Sequence, residues 1–126
     1  MMQPMTLTVP AGKEWVLVLR MAAAGVGALY NLPVDELDDL ATAIEESCDL
    51  LLHQDYQVQC LTLTCEEKKD SLHVALSAAK GCIQPSAQPA DADMARLIIG
   101  TLVRQVDLEQ DENGVHTVRM ILPAKV

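Results

Sequence analysis

The chain has 126 residues, half of them hydrophobic, with 18 Asp and Glu against 9 Lys and Arg and a formal net charge of −9. That length suits one domain with a core large enough to fold without staples, and the spread of apolar and charged positions argues against disorder, collagen and coiled coil. The acidic balance, with Trp15, Tyr30 and Tyr56 as the only aromatics, argues against a nucleic-acid binder, which needs clustered cations and stacking rings.

Thr6–Val9 alternates as a short strand stopped by Pro10, and Ala11-Gly12 leads into a helix from about Lys13 to Tyr30. Asn31-Leu32-Pro33 breaks it. A second helix runs from Val34 to about Gln54, with acidic residues crowding the first turn, where the helix dipole favours them. Leu37, Leu40, Ala41, Ile44, Cys48, Leu51 and Leu52 recur at helical spacing and form its expected buried stripe. Strands are expected at about Tyr56–Glu66 and Ser71–Ala79, joined by the polar turn Glu67-Lys68-Lys69-Asp70. Gly81 to Pro89 reads as a loop. A third helix is expected from about Ala92 to Gln105, and Asn113-Gly114 marks a hairpin between strands at Val106–Gln110 and Val115–Leu122. The order β-α-α-β-β-α-β-β implies an α/β (α+β) two-layer sandwich with one sheet, mainly antiparallel, and three helices on a single face.

The run from Trp15 to Tyr30 comes nearest to a membrane span, but Arg20 splits it and it falls short of the roughly 20 apolar residues needed. It also imitates a secretory leader ending at Ala22-Ala23-Ala24, without the charged start such a leader has. The expectation is a mature protein beginning near Met1 in the cytoplasm. Cys48, Cys60, Cys65 and Cys82 are spaced by 12, 5 and 17 residues, which gives no zinc pattern. Cys60 and Cys65, an odd number apart on one strand, point to opposite faces. The four are expected to be buried, reduced thiols, and with His53, His73 and His116 on different elements no metal site is expected.

Between Pro33 and Asp55 stand eight acidic residues and no Lys or Arg, so this segment carries nearly all the net charge. It reads either as a solvated helix face or as a docking surface for a basic partner.

The stretch Val9-Pro10-Ala11-Gly12-Lys13-Glu14-Trp15-Val16, continuing to Leu19-Arg20-Met21, resembles the opening strand and helix of bacterial anti-sigma factor serine kinases. So do Ala24-Gly25-Val26-Gly27, the acidic helix from Val34 to Cys48, the segment Leu97 to Val103, and the hairpin Asp111 to Val118. The resemblance covers nearly the whole chain, 1–126, as one domain. It implies the histidine kinase-like ATPase fold (Bergerat-type, GHKL superfamily) with a mixed sheet. It further implies regulation of transcription through a sigma factor and an anti-anti-sigma antagonist, and a homodimer.

The same resemblance implies where a nucleotide site would lie. Glu46 matches the family's general base. One helical turn on, the Mg²⁺-holding Asn is replaced by Leu50, which offers no oxygen to a hard cation. In the Asp-x-Gly motif that reads adenine, Gly81 is kept and Ala79 stands for the Asp. Asp93 and Ala95 stand for the glycine pair that opens the last helix to phosphate. Only about a dozen residues separate Gly81 from that helix, a shortened lid.

A degenerate, non-catalytic binding module is therefore expected, with no cofactor and with Asp35, Asp38, Asp39 and Arg20 as partner-binding candidates. Glu46 is expected to face solvent, opposite the buried stripe, and Leu50 to fall off that stripe and fill the old pocket. Arg20 is expected to bury its stem and keep its head in water. The alternative is a divergent serine/threonine kinase that still uses Mg·ATP through Glu46 and Gly81. A third possibility is a dimerisation domain.

Overall fold

In the computed structural model, which describes residues 3–123, β1 (Met5–Pro10) passes through a 3-10 turn at Lys13–Trp15 into α1 (Val16–Leu29). Met1, the expected start of the mature protein, lies outside the described residues. Next come α2 (Val34–Leu51), β2 (Tyr56–Lys68) and β3 (Ser71–Ile83). The chain closes with α3 (Ala92–Gly100), β4 (Gln105–Asp111) and β5 (Gly114–Pro123). The element order is the expected one. Among the described residues no helix is long and apolar enough to cross a membrane.

The break after α1 is a C-terminal cap. Asn31 adopts a left-handed conformation, φ 61°, and the Leu32 N–H donates to the Gly27 carbonyl at 3.1 Å. The α2 helix stops at Leu51 rather than Gln54 because side chains take its last carbonyls. The Gln54 amide donates to the Leu50 carbonyl at 2.8 Å, and the His53 ring lies 2.7 Å from the Asp49 carbonyl. Likewise α3 ends at Gly100, short of Gln105. The Thr101 hydroxyl donates to the Ile98 carbonyl, and the Arg104 N–H already bonds the Ile121 carbonyl of β5 at 3.0 Å.

The five strands lie in the order β1-β2-β3-β5-β4, and each of the four pairings is antiparallel. Lys69 and Asp70, with φ of 47° and 64°, make the two-residue turn between β2 and β3, whose twist suits a hairpin. Both strands run past their expected ends: β2 reaches Lys68 in regular register with Ser71, and β3 reaches Ile83 through register irregularities near Val58. The last turn also differs from expectation. Asp111 pairs with Gly114, so Glu112-Asn113 is the connection and Gly114 opens β5.

Leu61, Leu63 and Cys65 of β2 and Leu72, Val74 and Leu76 of β3 point to one face and are buried. The helices cover that face: α1 toward β2, α2 against β3 and β5, α3 toward β4. Leu40, Ala43, Ile44, Ser47, Cys48, Leu50 and Leu51 of α2 are all buried at the centre of this layer. Each large apolar side chain so buried contributes about 1.5–3 kcal/mol.

The cysteines divide instead of all being buried. Cys48 and Cys65 lie in the core, Cys60 on the uncovered sheet face is half-buried, and Cys82 near the end of β3 is exposed. Burial pushes the Cys48 thiol up to about 12 and the Cys65 thiol up to about 11. A disulfide reagent at pH 8 is expected to modify Cys82 first and Cys60 more slowly. Cys48 and Cys65 should stay silent until denaturant is added. Fast modification of all four thiols in the native protein would contradict this core.

Candidate functional site

The residues that the resemblance assigns to nucleotide positions sit on three elements, α2, β3 and α3. Leu50 is 1% exposed and belongs to the core, not beside it. Its position follows from α3, which packs on the flank of α2 and widens the face that α2 buries. One turn earlier, on that same flank, Glu46 is half-buried, which corrects the expectation of a solvent-facing carboxylate. Ala95 in the first turn of α3 is buried in the same core, and Asp93 is exposed.

The start of α3 holds a feature that sequence comparison alone missed. Asp91 is the N-cap, and its carboxylate accepts from the Asp93 N–H at 3.0 Å and the Met94 N–H at 3.2 Å. These are the amides a phosphate would need, so the helix end already holds its own anion. The signal was present in the sequence as an Asp directly before a helical run.

Gly81 and Ala79 lie within β3, not in a loop. Ala79 is exposed and pairs with Cys60. A Cβ on Gly81 would stand 3.2 Å from the Gln57 carbonyl and 3.3 Å from the Gln59 side chain. Close approach to the irregular part of β2 accounts for glycine here without a nucleotide.

Where a lid is expected, eight residues join β3 to α3, and they are tied down. The Gln84 N–H donates to the Asp55 carbonyl at 3.2 Å and the Ser86 N–H to the Asp55 carboxylate at 3.0 Å, while the Ala90 N–H reaches the His53 carbonyl at 3.1 Å. The loop therefore lies against the turn between α2 and β2. A cleft of about 410 Å³ opens beside it, lined by Gly12, Lys13, His53, Gln54, Tyr56 and Gln84 among others. None of Glu46, Leu50, Ala79, Gly81, Asp93 or Ala95 lines it.

The partner-binding candidates lie on the outer helical surface. Asp35 and Asp38 are exposed and Asp39 is half-buried. Arg20 of α1 keeps 38% of its side chain exposed and reaches the Glu45 carboxylate at 4.0 Å, while its Nε is buried without a hydrogen-bond partner. The structure brings Arg20 to Glu45 of α2, not to Asp35 or Asp39. Ion pairs this exposed contribute little to stability.

No protein-family model and no curated protein matches the sequence. The fold is similar to that in the crystal structure of the RsbU and RsbW domains of Rv1364c from Mycobacterium tuberculosis, with a TM-score of 0.74 and 12% sequence identity. The match covers 98% of this chain and 33% of that one, so this chain spans about a third of the length of that structure. The likeness shows the fold: a two-layer sandwich with a five-stranded antiparallel sheet and three helices.

Proposed function

We propose that this chain is an anti-sigma-type regulator that acts by protein–protein contact, on a kinase-like scaffold whose nucleotide site no longer works. The observation that carries the reading is the double occupation of that site. Leu50 fills the position of the metal-holding Asn with core, and the Asp91 carboxylate takes the α3 amides. Likeness in fold to a structure containing an RsbW domain supports the anti-sigma class. The partner is a sigma factor or its anti-anti-sigma antagonist, held against the acidic outer face of α2 at Asp35, Asp38 and Asp39, with Arg20, which reaches Glu45 further along α2, as a separate contact. The chain works as a homodimer without a cofactor.

A thermal unfolding scan with 5 mM Mg·ATP or Mg·ADP tests the loss of the site. No change in midpoint is expected. A ligand at 100 times its dissociation constant adds about 2.7 kcal/mol, which moves a domain of this size by several degrees. Such a shift, abolished by Glu46→Ala, would replace this reading with that of a serine/threonine kinase. Glu46, half-buried on the α3 flank of α2, is the observation that keeps that second reading in view. The docking surface is tested by charge reversal of Asp35, Asp38 and Asp39 together. Capture of the sigma factor or antagonist should fall at least tenfold, mainly through slower association. Unchanged capture would remove the surface from the proposal.

A further inference from the structure

We infer that the cleft beside the β3–α3 loop is a binding site for a small organic monocarboxylate that also carries a hydroxyl or amino group. The cleft holds about 410 Å³, within the usual range for small-molecule sites. Three segments far apart in the chain bound it: the turn before α1 at Gly12 and Lys13, the turn after α2 around His53, and the loop that follows β3. Asp55 and the His53 carbonyl tie that loop to the turn after α2, so these two walls are set before any ligand arrives.

Charge makes this cleft unlike the rest of the surface. The chain has 18 acidic residues, and none of them lines it. Its one Lys or Arg is Lys13, whose ammonium makes no ion pair or hydrogen bond among the described residues. By contrast, Arg20, Lys68, Lys80 and Arg119 each lie within 4.0 Å of a carboxylate. An unpaired lysine on open surface is ordinary; here it borders a preformed recess whose other polar groups are also unused. In so acidic a protein, that is where a ligand's negative charge is drawn.

His53 supplies the second contact. Its Nδ1 lies 2.7 Å from the Asp49 carbonyl, which can only accept, so Nδ1 carries the proton and donates. The neutral ring then keeps Nε2 as an acceptor, without a partner among the described residues, for a ligand O–H or N–H. The carboxamides of Gln57 and Gln84 are equally free to bond the ligand. Gln54 is committed to the Leu50 carbonyl and the Val115 N–H, which makes it a fixed wall. A single carboxylate suits the site better than phosphate. Only one permanent cation is present, and the Glu14 carboxylate stands against Gly12, 2.9 Å from where a Cβ would lie. A second negative charge on the ligand would be repelled there.

The test titrates the full chain with 3-hydroxybutyrate and with 4-hydroxyphenylacetate, followed in ¹H–¹⁵N correlation spectra at constant ionic strength. Their neutral amides, butyrate and inorganic phosphate are the comparison probes. For ligands this small a dissociation constant of about 1 mM is expected. With at least one of the two carboxylates the signals of Lys13, His53 and Gln84 should move together and saturate, and the neutral amides should leave them in place. Lys13→Gln, at an exposed position without side-chain partners, should keep the fold and weaken binding about tenfold or more. Lys69→Gln, in the turn between β2 and β3, should change nothing. Butyrate, which lacks the hydroxyl, should bind several-fold more weakly than 3-hydroxybutyrate; equal binding would overturn the His53 contact. The absence of saturating shifts with either carboxylate at about 20 mM would overturn the site. So would binding that Lys13→Gln leaves unaltered, amides that bind as well as the acids, or phosphate that binds more tightly. None of the positions that the resemblance assigns to nucleotide lines this cleft, so either result leaves the function proposed above where it stands.

Discussion

Leu50→Asn, which puts an amide where the sequence resemblance implies a Mg²⁺-holding Asn, is expected to destabilise the protein by about 4 kcal/mol and to confer no nucleotide binding. Removing a buried leucine costs about 2–5 kcal/mol, and the amide put in its place adds about 1–3 kcal/mol if it finds no partner. Leu50 is 1% exposed and belongs to the hydrophobic core. Leu50→Met, close in volume and equally apolar, should cost less than about 1.5 kcal/mol. Urea denaturation at 25 °C measures both. An Asn variant as stable as the wild type, with a midpoint that rises in Mg·ATP, would mean that an open site survives between α2 and α3.

Gly114→Ala should lower stability by about 2 kcal/mol, several degrees in midpoint. Gly114 has φ +114°, a conformation side chains other than hydrogen rarely adopt. A Cβ there would stand 2.3 Å from Gln54 Oε1 and 3.2 Å from the Gln54 Cβ. Gln54 cannot simply swing aside, because Oε1 accepts from the Val115 N–H at 2.9 Å while its amide closes the end of α2 on the Leu50 carbonyl at 2.8 Å. The substitution therefore strains the turn and breaks the tie between α2 and β5 together. In Gly100→Ala the new Cβ would meet only Val106 Cγ1 at 3.8 Å, and stability should stay within about 0.5 kcal/mol of the wild type. Equal effects at the two glycines would show that turn strain and the Gln54 contact carry no weight.

The residues at the candidate site were legible one by one, and their grouping was not. Resemblance picks out Glu46, Leu50, Gly81 and Asp93, but burial decides what each does. A helical wheel of α2 alone places both Leu50 and Glu46, four residues apart, on the side away from the stripe. With α3 packed on that flank, Leu50 becomes core and Glu46 becomes half-buried. Gly81 reads as the start of a loop because its neighbours lack strand periodicity. It lies in β3 because β2 carries the pairing onward through an irregular register.

The same division runs through the fold. By itself the sequence determined the elements and their order, the break at Asn31-Leu32-Pro33, a polar turn within Glu67–Asp70 and the acidic character of α2. These depend on spacings of a few residues, where backbone geometry and side-chain type act locally. Only the tertiary structure decided which flanks are covered. On β5 an extra residue near His116 lets Val115 and Val118 both reach the core, which strict alternation forbids. On α1, apolar nearly all round, the layer covers Leu19, Ala23 and Val26 and leaves Leu17, Met21 and Leu29 outside. No local pattern distinguishes those two sides, because the difference is made by α2 and β2, which join α1 only when the chain has folded.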